Sequence, residues 1–232
     1  MCLVSYIPLE GGFVLSSNRD EDPARNNVIL TAELIAGKKV TFPADAKGGS
    51  WIFASDQGDV LCLLNGAFEI HRRRLPYRMS RGLVLKSYFE YDDSITFLED
   101  FDFTDIEPFT LIIKTIDVFL EFRWDGFTKH LRTLNQSSSY IWSSSTLYDS
   151  QIQEERELYF RNRLGQSNEL NSQKIRNIHL DRTGLPVEYA FVMNRMNLVK
   201  TISQTQIIMD GDSLILDYLD LLTDDHNRIF LN

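Results

Sequence analysis

The chain has 232 residues, 43% of them hydrophobic and 25% charged, a balance that supports a substantial core and excludes a disordered chain. Its 24 Lys and Arg against 33 Asp and Glu give a net charge of −9, which disfavours nucleic acid and anionic membrane as partners. Two cysteines, Cys2 and Cys62, are too few for a disulfide scaffold, and four scattered histidines show no metal-ligand spacing, so neither a metal nor another cofactor is expected.

In chain order, Cys2 to Pro8 reads as a strand, Glu10-Gly11-Gly12 as a turn and Phe13 to Ser17 as the returning strand of a hairpin. The polar stretch Ser17 to Asn27 (SNRDEDPARNN) reads as a loop, and Val28 to Ala32 as a short strand. Gly48-Gly49-Ser50-Trp51 opens a second hairpin, with Trp51 to Ser55 and Val60 to Leu64 around Asp56-Gln57-Gly58-Asp59. The run VLCLL is apolar throughout and is expected to be a central strand covered on both faces. A basic stretch, HRRRLPYRMSR, precedes two helical patterns, Ser80 to Tyr91 and Ser94 to Phe101. Phe109 to Thr115, Asp117 to Trp124 and Lys129 to Leu134 read as strands, and Ser150 opens the clearest helix, which closes at Gly165. Leu198 to Met209 and Ser213 to Tyr218 form a last hairpin. Hairpins with segregated helices argue an α+β class, in one domain over 1–232. No secretory leader is apparent and no apolar run approaches the roughly 18 residues of a membrane helix, so no integral membrane segment and a cytoplasmic location are expected.

Three places in the first 65 residues carry candidate chemistry. Cys2 follows the initiator methionine, whose removal would leave a thiol and a free α-amine on one residue. That amine can serve as general base for its own side chain; an ordinary strand cysteine is the plain alternative. Asn18-Arg19-Asp20-Glu21 ends the strand that pairs with the Cys2 strand, so hairpin geometry brings it beside Cys2. A carboxylate there can orient the amine and an arginine can grip a substrate carboxylate, although a surface loop of self-pairing charges reads equally well. Asn65-Gly66 ends the central strand, where an amide donor can reach a developing oxyanion or where a simple turn can form. Trp51 can floor a pocket or fill the core.

Met-Cys at the start, NRDE at 18–21, GGSW at 48–51 and LLNG at 63–66, in this order, resemble the NRDE family, which includes the transport and Golgi organisation protein 2 proteins. The stretches EPFTLII, RWDG and IWSSSTLYD continue the resemblance. The family is similar to N-terminal nucleophile hydrolases, which implies a four-layer αββα sandwich with mostly antiparallel sheets. Related cysteine amidases imply Cys2 as nucleophile, Asp20 as the carboxylate that handles amine and thiol, and Asn65 as oxyanion donor. Ser144 stands where those amidases carry a second asparagine, and Lys200 or Arg195 near their late arginine.

The resemblance therefore implies a cysteine hydrolase of a non-peptide amide or thioester bond in a small molecule, an anionic one included, with Asn18, Arg19, Trp51, Arg72 and Ser144 as substrate-binding candidates. Arg72 belongs to the basic stretch, which suits a carboxylate or phosphates or else pairs with the acidic run Glu99 to Asp105. The alternative is a non-catalytic binding or trafficking protein for a lipid, acyl-CoA or haem-like ligand. A thiol redox role for Cys2 is weaker, because Cys62 is too distant for a CxxC motif. Composition and motifs leave the oligomeric state open.

Overall fold

The opening hairpin forms around Glu10-Gly11, pairing β1 (Leu3–Leu9) with β2 (Gly12–Glu21) in antiparallel register, Leu3 opposite Asn18. This computed structural model describes residues 3–166 and 169–231, so Cys2 lies outside the described residues. β2 runs four residues past the expected strand end at Ser17, and Ser16 to Asp20 are all buried. The expected loop over Ser17 to Asn27 is thus corrected: it begins only after Glu21, with a 3-10 turn at Pro23–Arg25 capped by Asp22. Asn18 and Asp20 tolerate this burial because hydrogen bonds satisfy them, and Arg19 because it stacks on Trp51.

β3 (Ile29–Ile35) and β4 (Lys38–Ala44) make a hairpin of which the sequence suggested only the first strand. β5 (Ile52–Ser55) and β6 (Val60–Asn65) follow, and β6 is central, with β5 on one side and β7 (Phe109–Lys114) on the other. Between them lie α1 (Arg81–Tyr88), capped by Ser80, and α2 (Ser94–Asp100), capped by Asp93. β8 (Phe119–Trp124) and β9 (Lys129–Thr133) complete a seven-stranded sheet in the order β3-β4-β5-β6-β7-β8-β9.

The chain then returns to the first sheet. β10 (Tyr140–Ser143) pairs with β1, placing Ser143 opposite Leu3. α3 (Ser150–Gly165) is capped by Asp149 rather than by the expected Ser150, since the Asp149 side chain accepts the Ile152 N–H. α4 (Ser172–His179) and the short β11 (Asn194–Arg195) precede β12 (Val199–Asp210), β13 (Ser213–Asp220) and β14 (His226–Phe230). The resulting sheet runs β10-β1-β2-β12-β13-β14, with β11 on β12.

The inner faces of the sheets meet through Val4, Tyr6, Leu15 and Ile207 against Cys62, Ile112 and Phe119, with the Tyr6 and Phe119 rings 4.3 Å apart. Val84, Leu85 and Tyr88 of α1 and Phe97 of α2 extend this core beyond one sheet. Phe160 of α3 and Ile175 and Ile178 of α4 cover Leu3, Ile7, Val14 and Ile208 beyond the other. The four layers are αββα, the architecture of N-terminal nucleophile hydrolases. Among the described residues no helix is long and apolar enough to cross a membrane.

Candidate active site

Strand alternation divides the NRDE stretch between two faces of β2. Val14 packs with the helices and Leu15 with the opposite sheet, so Asn18 and Asp20 point toward the helices and Arg19 between the sheets. Asn18 donates both amide hydrogens, to the His179 and Phe191 carbonyls at 2.8 and 2.9 Å. Its Oδ1 is therefore the acceptor for His179 Nδ1 at 3.0 Å, which leaves Nε2 to accept the Ser5 hydroxyl at 2.7 Å. Burial, reinforced by Arg156 and Arg176, pushes His179 down to about 3, so the imidazole is neutral. Ser5, His179 and Asn18 are chained as in a nucleophilic triad, but all three are fully enclosed. With no approach for a substrate, the chain fixes α4 to β1 and β2.

Asp20 is nearly enclosed as well. It accepts the Thr201 hydroxyl at 2.5 Å and the Tyr148 hydroxyl at 3.2 Å. A bulge between Thr201 and Ser203 in β12 turns Thr201 to the same side as Asp20. Tyr148 is held between two guanidiniums, Arg156 at 4.2 Å and Arg195 at 5.2 Å from its ring centroid. Arg195 also donates to the Leu147 and Glu188 carbonyls, so its contact with the site runs through Tyr148. Asp20 lies two residues beyond Asn18, in the direction in which β1 ends at Leu3.

Arg19 is only 4% exposed, and among the described residues it makes no ion pair. Its guanidinium lies 4.5 Å over the Trp51 ring and donates to the Arg25 carbonyl at 3.2 Å. Burial lowers its pKa, while Glu21 acts in the opposite direction. The Trp51 indole N–H is buried without a hydrogen-bond partner among the described residues. Arg19, Trp51 and Asn65 line one cleft of about 150 Å³, together with Glu21, Asp45 and Arg81. Gly82, at the start of α1, closes one wall: a Cβ there would lie 2.7 Å from the Ser50 carbonyl oxygen, so helix and GGSW turn meet only through glycine.

Asn65 ends β6 beside the 144–146 turn. Its carbonyl accepts the Ser144 hydroxyl at 2.7 Å, and Ser144 also contacts Thr146 Oγ1 at 2.9 Å. Gly66 adopts φ +82°, and a Cβ on it would sit 2.3 Å from Ser145 Oγ. Glycine is therefore required for Asn65 to reach this turn. Cys62, three residues earlier in β6, is enclosed in the core, and burial raises its thiol to about 12.

The structure thus brings Arg19, Trp51 and Asn65 into one cleft, seats Ser144 on Asn65, and holds Asn18 and Asp20 behind β2. It does not bring Arg72 to them. Arg72 lines a separate cleft of about 220 Å³ with His71, Tyr77 and Phe127. The rest of the basic stretch is largely neutralised: Glu107 pairs with His71, Arg73 and Arg81, and Arg78 approaches Asp102. Sequence reasoning did not single out Tyr148, Thr201, Arg156 or His179. Tyr148 falls within the resemblant IWSSSTLYD and Thr201 just after Lys200, but their partnership with Asp20 spans 128 and 181 residues.

The family model described as Transport and Golgi organisation 2 matches residues 1–229. No curated protein matches the chain. Among solved structures, a cysteine-to-alanine mutant of the Clostridium perfringens conjugated bile acid hydrolase aligns with TM-score 0.64 at 8% identity, over 100% of this chain and 93% of that one. An arginine-to-leucine variant of the same hydrolase gives 0.57 at 10% identity, with 100% and 93% covered. The Caenorhabditis elegans ortholog of N-acylethanolamine-hydrolyzing acid amidase gives 0.61 at 13% identity, over 90% of this chain and 93% of that one. These likenesses show the N-terminal nucleophile hydrolase fold.

Proposed function

The chain belongs to the Transport and Golgi organisation 2 family, and from that premise we propose that it is a cysteine N-terminal nucleophile hydrolase. It acts as one unit on an amide or thioester bond of a small anionic molecule, and in the cytoplasm. The observation that carries this reading is Arg19, a buried guanidinium that makes no ion pair among the described residues, in the same cleft as Trp51 and Asn65. Burying an unpaired cation is costly unless something occupies its open face. A carboxylate or a polarised carbonyl of a substrate suits that position.

In this reading, removal of Met1 leaves Cys2 with a free amine, joined by its peptide bond to Leu3. The amine takes the thiol proton as sulfur adds to the carbonyl carbon. Asp20, fixed by Thr201 and Tyr148, orients the resulting ammonium. The Asn65 amide donates to the oxyanion. The ammonium returns its proton to the leaving amine or thiol as the bond to it breaks, and water then hydrolyses the thioester acyl-enzyme. Both fold relatives that carry the argument are named for hydrolysing amide-type or conjugate bonds, which supports the reaction class.

One observation favours the alternative, a non-catalytic binding protein of the same family. The Ser144 hydroxyl donates to the Asn65 carbonyl and contacts Thr146, so it is not directed to an oxyanion. Losing one such donor costs about 2.7–4 kcal/mol in the transition state.

Intact mass combined with a thiol-reactive probe at pH 6–7 tests the proposal. A mass lacking methionine and one rapidly labelled thiol, lost in Cys2→Ala, are expected. Cys62 stays silent because of its burial and its pKa of about 12. A mature chain that retains methionine rules out the mechanism, because the Cys2 nitrogen is then an amide.

A further inference from the structure

A larger cleft, of about 470 Å³, opens between the sheets where β10 faces β8 and β9. That volume falls within the range of roughly 300–1,000 Å³ typical of small-molecule sites. At one end it is lined by Leu64, the neighbour of Asn65, and by Ser143, which is paired with Leu3. Toward the other end lie Arg132 and Tyr140. The cleft therefore begins beside the reacting end of the candidate site and runs away from it.

Its walls are charged in a definite way. Three arginines, Arg123, Arg132 and Arg161, face two glutamates, Glu121 and Glu157. Glu121 is fully engaged: one oxygen accepts from Arg123 Nε at 2.9 Å and the other from Trp142 Nε1 at 2.5 Å. Glu157 pairs with Arg161 at 2.7 Å. Arg132 is left without an ion pair among the described residues, its guanidinium 5.9 Å from the Tyr140 ring centroid. Arg132 stands opposite Glu121 in the β8–β9 register, so Arg123, two residues along, is its diagonal neighbour on the same face. Tyr140 and Trp142 stack along the facing strand with rings 15° from parallel.

We infer that this cleft is the anion subsite for the distal end of the substrate, an inference that rests on the hydrolase reading above. A carboxylate or phosphate is held by Arg132, with Arg123 as second donor, and the flat part of the ligand lies along Tyr140 and Trp142. The strand sets the length. Tyr140 and Ser143 are three residues apart in β10, so the anion sits roughly 10 Å from the scissile carbonyl. The basic stretch at 71–81, the obvious candidate by charge, is not the anion site in this inference.

The test uses full-length protein and 8-anilinonaphthalene-1-sulfonate, a flat anionic fluorophore, read by energy transfer from tryptophan. Saturable binding is expected in the wild type and equally in Cys2→Ala, which separates this inference from catalysis. Arg132→Gln is expected to weaken binding at least tenfold, Arg132→Lys to restore part of it, and Arg72→Gln to leave it unchanged. The neutral analogue N-phenyl-1-naphthylamine should bind at least tenfold more weakly. No saturable binding to the wild type, an Arg132→Gln variant that binds normally while retaining its far-UV spectrum, or loss of binding in Arg72→Gln overturns the assignment. Methionine retention at the N-terminus would end the hydrolase reading yet leave these binding results standing.

Discussion

The two faces of β2 treat polar residues in opposite ways. On the helix side, Asn18 satisfies its amide completely and holds a neutral His179, which in turn takes the Ser5 hydroxyl. On the inter-sheet side, Arg19 is nearly as buried but stacks on Trp51, makes no ion pair among the described residues, and opens on a cleft. The first arrangement is closed, so its groups contribute to stability and have no approach for a ligand. The second is incomplete, so its groups are available to a ligand. A triad-like chain of side chains is not by itself an active site; access and unsatisfied bonding capacity decide.

The largest effect that could break this comparison is expected at Asn18. Asn18→Ala leaves the His179 carbonyl and the His179 N–H without partners and removes the shorter of two hydrogen bonds to the Phe191 carbonyl, and should cost about 3 kcal/mol in denaturant unfolding. A loss below about 1 kcal/mol would show that the closed side is not a stability element. Next in size is the pH response of the same cluster. His179 has a folded pKa near 3, below its unfolded value, so its contribution is fully present above pH ~6.5 and is lost as pH falls toward 3. Stability should drop by about 1.4 kcal/mol per pH unit from this group between those limits. Unfolding midpoints for wild type and His179→Gln at pH 7, 5.5 and 4.5 isolate it, since carboxylates contribute to both.

Gly66→Ala tests the link between the open side and the 144–146 turn. A side chain at φ +82° that meets Ser145 should cost about 2 kcal/mol and displace Asn65. The expected readouts are a lower melting temperature and lost ligand binding together. Arg19→Gln should change stability by less than about 1 kcal/mol, because removing a buried unpaired charge offsets the lost stacking on Trp51. It should nonetheless abolish turnover or ligand binding in the Trp51 cleft, and a variant that unfolds like Asn18→Ala would erase the distinction between the faces. Smallest of all, Arg72→Gln should shift stability by less than about 0.5 kcal/mol, as measured by denaturant titration.

The extended β2 shows why the site was only partly legible. SNRDE is too polar for a strand on local propensity, and nothing nearby in the chain explains its burial. Its partners are His179, Phe191, Thr201 and Trp51, each reached only when sheets and helices have packed. The asparagine and aspartate of the motif pointed to a site, but only the strand's alternation revealed that they face away from the arginine between them. The basic stretch was legible only in part: Arg78 approaches Asp102 within the acidic run that the sequence offered as its partner, whereas His71, Arg73 and Arg81 pair with Glu107 just outside it.

What the sequence determined by itself was local and periodic. The hairpins at 3–21 and 52–65, the central apolar run VLCLL and the glycines of GGSW and LLNG follow from turn chemistry and side-chain patterning over a few residues. The motif set likewise points to the family, and with it to the layered fold. Tertiary structure alone decided which polar residues are closed and which are open. It paired Asp20 with Tyr148 and Thr201, set the Arg19 guanidinium over Trp51, and opened the Arg132 cleft between β9 and β10. The reason is physical: whether a buried polar group is satisfied depends on partners that lie from 32 residues away, as Trp51 does from Arg19, to 181, as Thr201 does from Asp20, and local sequence carries no record of them.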